Sequence, residues 1–150
     1  MADIQTTVER IKAISLNHKE VKSFYVGNTW DMAASKSSDI YPNVWVEFPV
    51  LTEYSLKEKT YTFSIDILAL PKNDDTWDEM LKQSQCEAIA DQLLQAYKKY
   101  IANYNMGRMV GLTVKNINAD IATGVRIDVQ FITNRECDFE DNFNAEMIRE

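Results

Sequence analysis

The chain reads as an α+β protein, a largely antiparallel sheet of about five strands packed by two helices in the order α-β-β-β-α-β-β. Two changes of period predict it. Tyr61, Phe63, Ile65, Ile67 and Ala69 alternate with Thr62, Ser64 and Asp66, the period of a strand with one dry face. After Pro71 the period becomes helical, with Trp77, Met80, Leu81, Ser84, Ala88, Ile89, Leu93, Ala96, Tyr97, Tyr100, Ile101 and Tyr104 recurring at three- and four-residue spacing. A second alternating run, Val125, Ile127, Val129 and Phe131 against Arg126, Asp128 and Gln130, is the clearest strand in the chain.

The elements follow in order. Ile4, Val8, Ile11, Ile14 and Leu16 fit a first helix ending near Asn17 and His18, with Thr6 and Glu9 as a capping box if it starts late. Val21 to Val26 reads as a short strand closed by Gly27 and Asn28, and residues 28–41 as a long loop carrying Trp30, Met32 and Ile40. Pro42 opens a strand with Val44, Val46, Phe48 and Val50 on one side and Trp45 and Glu47 on the other. Thr52 to Lys59 then forms a hairpin with a long, charged tip. Asp75 or Thr76 caps the long helix, Thr76 with Glu79 as a box, and Lys98, Lys99 and Gly107 mark its end. Such a helix of roughly 28 residues would run about 42 Å, more than one small sheet needs, so its far end is expected to project toward a partner. From Arg108 to Ile121 the apolar phase switches, predicting a bulge near Lys115 and Asn116, and Thr123 with Gly124 makes the next turn.

With 150 residues and 45% hydrophobic composition, residues 1–133 form a single domain able to bury a core without metal or disulfide help. Residues 134–150 form an acidic C-terminal arm. The net charge of -7 argues against a nucleic-acid-binding surface, which needs clustered Lys and Arg. An acidic wall would instead let DNA pass without adhesion. Cys86 and Cys137 suggest free thiols in a reducing compartment, and neither a signal core nor a membrane span of roughly 20 apolar residues is evident. His18, the only histidine, reads as a solvated or capping residue. The scattered glycines form no phosphate loop, and the acidic pairs at the helix start are explained by capping. Neither an enzyme, a cofactor nor a metal site is expected.

Aromatic residues carry more signal. Tyr97, Tyr100 and Tyr104 share a helix face and are expected in the core. Trp30, Tyr41 and Trp45 either cover the sheet's second side or dock on a neighbouring subunit. Phe139, Phe143 and Met147, four apart, would line one side of a short helix laid in a neighbour's groove or folded back on its own domain.

The segment Phe24, Gly27, Asn28 and Trp30, then Ser38 to Pro42 and Val44 to Glu47, followed by Tyr61, Thr62, Phe63 and the acidic-capped long helix, resembles small virion proteins of tailed phages infecting Bacteroidetes, including crAss-like phages. These are similar to tail terminator and neck ring proteins. The resemblance spans most of the chain up to about Phe131, through short structural motifs. It implies a tail terminator-like domain forming a homo-oligomeric ring between portal and tail, in the virion neck, with loops and terminal arms gripping other neck, portal or tail proteins. It carries no catalytic residues. Trp30, Tyr41, Trp45, Phe139, Phe143 and Met147 are the expected subunit contacts. The competing reading is a small soluble phage module that grips one host protein through the same aromatic surface.

Overall fold

In a computed structural model of the protein, residues 3–28, 41–72, 75–101, 104–115, 121–135 and 142–144 are described. Their elements are α1 (Ile4–Asn17), β1 (Ser23–Asn28), β2 (Asn43–Tyr54), β3 (Glu58–Ala69), α2 (Thr76–Tyr100), β4 (Asn105–Val114) and β5 (Thr123–Asn134). The order is the expected α-β-β-β-α-β-β, an α+β fold with both helices on one face of a five-stranded sheet.

The sheet is mixed, in the order β1-β2-β3-β5-β4. β1 runs parallel to β2, with Ser23 opposite Asn43 and Asn28 opposite Phe48, and every other pair is antiparallel. A parallel pair requires the chain to travel back along the whole strand before pairing again, which accounts for the long segment between β1 and β2. The β2–β3 hairpin is longer and its tip tighter than expected. Its strands reach Tyr54 and Glu58, and Ser55 closes the tip by bonding both to and from Glu58. The register slips between Glu47 and Leu51, around Pro49, which has no N–H for the ladder.

Both helices begin at an aspartate. Asp3 Oδ1 accepts from the Thr6 N–H at 2.7 Å, so Asp3, and not a Thr6–Glu9 box, caps α1; these bonds hold its carboxyl below the usual range. Asp75 accepts from the Trp77 and Asp78 N–H groups and caps α2, with Asp78 and Glu79 in its first turn and Lys98 and Lys99 in its last, each matching the helix dipole.

α2 has 25 residues, hence about 38 Å of length against about 40 Å for the 12 residues of β3. The helix is therefore no longer than the strand it packs against. It ends at Tyr100 with Ile101 as C-cap, and Gly107 lies inside β4. β4 has an irregularity between Met106 and Met109, the bulge expected near Lys115 and Asn116 falls where the described residues stop, Asn116 lying outside them, and Thr123 and Gly124 are the first residues of β5 rather than a turn. Gly124 is required there because a Cβ would lie 1.9 Å from the Ile67 carbonyl oxygen of β3.

The core lies between the helices and the sheet. Val44 and Val46 of β2, Tyr61 to Ala69 of β3 at alternate positions, and Val125 to Phe131 of β5 face Ile11 of α1 and Cys86, Ile89, Ala90, Leu93 and Tyr97 of α2. The three tyrosines expected together are divided. Tyr97 is buried, Tyr100 is exposed, and Tyr104, beyond the helix, packs against Tyr61 and Phe131 with ring centroids at 6.3 and 5.7 Å. Each inward hydroxyl has a partner on α1: Tyr97 Oη meets Ser15 at 2.9 Å and Tyr104 Oη meets Thr7 at 2.6 Å. These pairs explain why two polar residues of α1 are fully buried.

Candidate assembly surfaces

The sheet's second face is clasped by charge. Arg126 of β5 presents Nε at 2.8 Å to both Asp66 Oδ1 of β3 and Glu47 Oε2 of β2. Arg126 stands directly opposite Asp66 in the ladder, so the trio ties three neighbouring strands together. Asp66 is fully buried. Burial, with the adjacent Glu47 carboxylate, pushes its carboxyl up to about 8 despite the guanidinium. Beside the trio, Trp45 packs with Leu68, Ala122, Tyr25, Tyr41 and Val114, its ring 5.2 Å from that of Tyr25. Trp45 is 5% exposed. Of the two roles open to it, it fills that of covering the sheet's second side, and Tyr41 joins it there.

α2 carries a second apolar stripe. At 100° per residue, Cys86, Ile89, Ala90, Leu93 and Tyr97 centre on one direction, toward the sheet. Trp77, Met80, Leu81, Ser84 and Ala88 centre about 180° away and are exposed. The sequence pattern joined these two stripes into one. Trp77 is 78% exposed, and the residues 77, 80, 81 and 84 have the i, i+3, i+4, i+7 spacing that frames a socket for a side chain from another element. Gln83 fixes this part of the helix to the far end of the sheet by donating to Thr123 Oγ1 at 3.0 Å, beside the end of β4.

The opposite end of the sheet carries the β2–β3 tip. Tyr54 and Leu56 stand out there, Leu56 at 95% exposure. The tip is braced from β5: the Arg135 N–H donates to Lys57 O at 2.8 Å, its Nη1 donates to Ser55 O at 2.7 Å, and its guanidinium lies over the Tyr54 ring. Along one edge of the sheet, β4 exposes Met109, Val110 and Leu112.

A groove of about 590 Å³ between α1 and α2 is lined by Ile14, Leu16, Leu93, Ala96, Tyr100 and His18. His18 closes α1, its Nδ1 accepting from the Glu20 N–H, which leaves Nε2–H to donate to Gln92 Oε1 at 2.6 Å. Cys86 is buried, which pushes its thiol up to about 12. Among the described residues no cluster of three metal-ligating side chains occurs, and no helix is long and apolar enough to cross a membrane.

Of the six expected contact residues, Tyr41 and Trp45 come together, and Phe143 is described and 53% exposed. Trp30, Phe139 and Met147 lie outside the described residues, as does most of the 134–150 arm. Leu56 and the outward stripe of α2 were missed by sequence reasoning. Trp77 could have signalled the stripe, since on the phase of Leu93 and Tyr97 it points away from the core. No protein-family model matches the chain, and no curated protein sequence matches it.

Proposed function

We propose that the chain is a structural virion protein that forms a ring at the head–tail junction or tail terminus of a tailed phage, joining portal or connector to tail around the DNA conduit. The observation that carries this reading is the outward apolar stripe of α2, which puts a tryptophan, a methionine and a leucine in water opposite an already satisfied core stripe. A second apolar surface, the β2–β3 tip, lies at the other end of the sheet. Two unlike surfaces at opposite ends suit heterologous, head-to-tail association, which closes into a ring when the rotation per subunit permits. The resemblance of Phe24 to Glu47 and of the following strand and helix to phage neck and tail terminator proteins points the same way. On this reading the acidic balance of the chain limits adhesion to passing DNA, the partners are copies of itself and the neighbouring neck or tail proteins, and no catalysis is involved.

The groove between α1 and α2 favours a second reading, an adaptor that receives an apolar helix of one host protein. Light scattering with negative-stain images of the purified protein separates the two. Closed rings, and the protein's presence in purified particles, are expected. A monomer that is absent from particles and forms a one-to-one complex with a host protein would replace the ring by the adaptor.

A further inference from the structure

The tip and the stripe fit each other in shape and charge. Leu56 is a single apolar side chain at the apex of a braced hairpin. Trp77, Met80, Leu81 and Ser84 frame a four-cornered hollow, and the small Ser84 leaves one corner open. Around Leu56 the three cations Lys57, Lys59 and Arg135 outnumber the two carboxylates Glu53 and Glu58. Around the hollow, from Lys72 to Lys82, the carboxylates Asp75, Asp78 and Glu79 outnumber the two lysines. A locally basic knob thus stands at one end of a chain whose net charge is -7, and a locally acidic socket at the other.

A chain does not dock its own tip. Leu56 sits at the Glu58 end of β3, whereas α2 starts beside the Ala69 end, where Lys72 N–H donates to Asp78 and Gln83 reaches Thr123. The ends are separated by the length of β3, about 40 Å. We infer that the occupant of the α2 hollow is the β2–β3 tip of a second copy of this chain, with Leu56 as the knob. This contact rests on the ring reading for its repetition, but not for its existence. The socket of one copy takes the tip of the next, and each copy keeps one free tip and one free socket until the ring closes.

Cysteine cross-linking in a Cys137→Ser background, with the buried Cys86 left in place, tests the contact. Equimolar Leu56→Cys and Ser84→Cys chains, mixed and oxidised in air, are expected to give a disulfide-linked heterodimer that neither variant gives alone. A chain carrying both substitutions is expected to give a ladder beyond the dimer. Far-UV circular dichroism unchanged from the parent shows that these two exposed replacements leave the fold intact. Homodimers through 56–56 or 84–84, or no linkage at all, overturn the contact. Rings seen by light scattering without the 56–84 linkage overturn it and leave the ring reading standing. A ladder that stops at a doubly linked dimer keeps the contact and overturns the ring.

Discussion

The two stripes of α2 are built from similar side chains and have opposite surroundings. Cys86, Ile89, Leu93 and Tyr97 face the sheet and are almost wholly buried, while Trp77, Met80 and Leu81 face water. The difference comes from position along the sheet as well as from helical phase. The second half of α2 packs beside α1 and against the part of the core where Phe63, Phe131 and Tyr97 meet; the first half reaches the ends of β4 and β5 through Gln83 and the residues after β3 through Asp78. An apolar stripe therefore states that a helix has something to bury and leaves open what will bury it. For the inner stripe it is the chain's own sheet.

Thiol chemistry gives the largest contrast between the stripes. Burial pushes the Cys86 thiol up to about 12, so little thiolate exists near pH 8, whereas a cysteine at position 84 would titrate near the ordinary 8.5. In the Cys137→Ser background, Ser84→Cys is expected to react with a maleimide or aromatic disulfide reagent far faster than Cys86, by on the order of a thousandfold from the thiolate fraction. Comparable rates would mean that the inner stripe opens readily or that the outer one is covered.

The next contrast is in stability. Leu93→Ala removes a side chain that is 1% exposed from between α2 and the sheet, and it is expected to cost about 2–5 kcal/mol of unfolding free energy in denaturant titration. A cost below about 1 kcal/mol would mean that the inner stripe is packed more loosely than its burial implies.

What the sequence made legible follows the same division. β5 was readable because its alternate residues Val125 to Phe131 meet the helices while Arg126 and Asp128 meet the clasped face, so the period survives intact. Asp75 was readable as a cap because capping is local. The parallel pairing of β1 with β2 was not, since periodicity names a strand's dry side but never its partner. The two stripes of α2 were merged because over 28 residues a list of apolar positions with three- and four-residue steps drifts from one face to the other without breaking the rule. Leu56 was invisible for a simpler reason: one leucine among Ser, Lys and Glu reads as a loop, and only the brace from Arg135 makes it a fixed knob.

The sheet's second face offers a gentler test of how its polar side is held. Asp66 titrates near 8 in the folded chain and near its ordinary 3.8 when unfolded, so between these values the folded state holds the extra proton. The contribution is therefore present below about pH 4 and is lost as pH rises through about 8. The expected loss is no steeper than about 1.4 kcal/mol per pH unit. Asp66→Asn, which keeps the shape and remains neutral, is expected to flatten the stability profile between pH 5 and 8. A profile in Asp66→Asn as steep as the parent's would assign the slope to other groups.

The smallest expected effect bears most directly on the outer stripe. Leu81→Ala truncates an exposed side chain on the face of α2 turned away from the sheet, and alanine is at least as good a helix former as leucine. In the isolated subunit it is expected to change the unfolding free energy by less than about 0.5 kcal/mol, because among the described residues Leu81 belongs to neither buried cluster. In assembled material the same change removes one corner of the socket for Leu56, so the oligomer and not the subunit should register it. A cost to the isolated subunit approaching that of Leu93→Ala would mean that the outer stripe is already covered by another part of its own chain. The socket would then be an intramolecular seat, and the asymmetry between the two stripes would vanish.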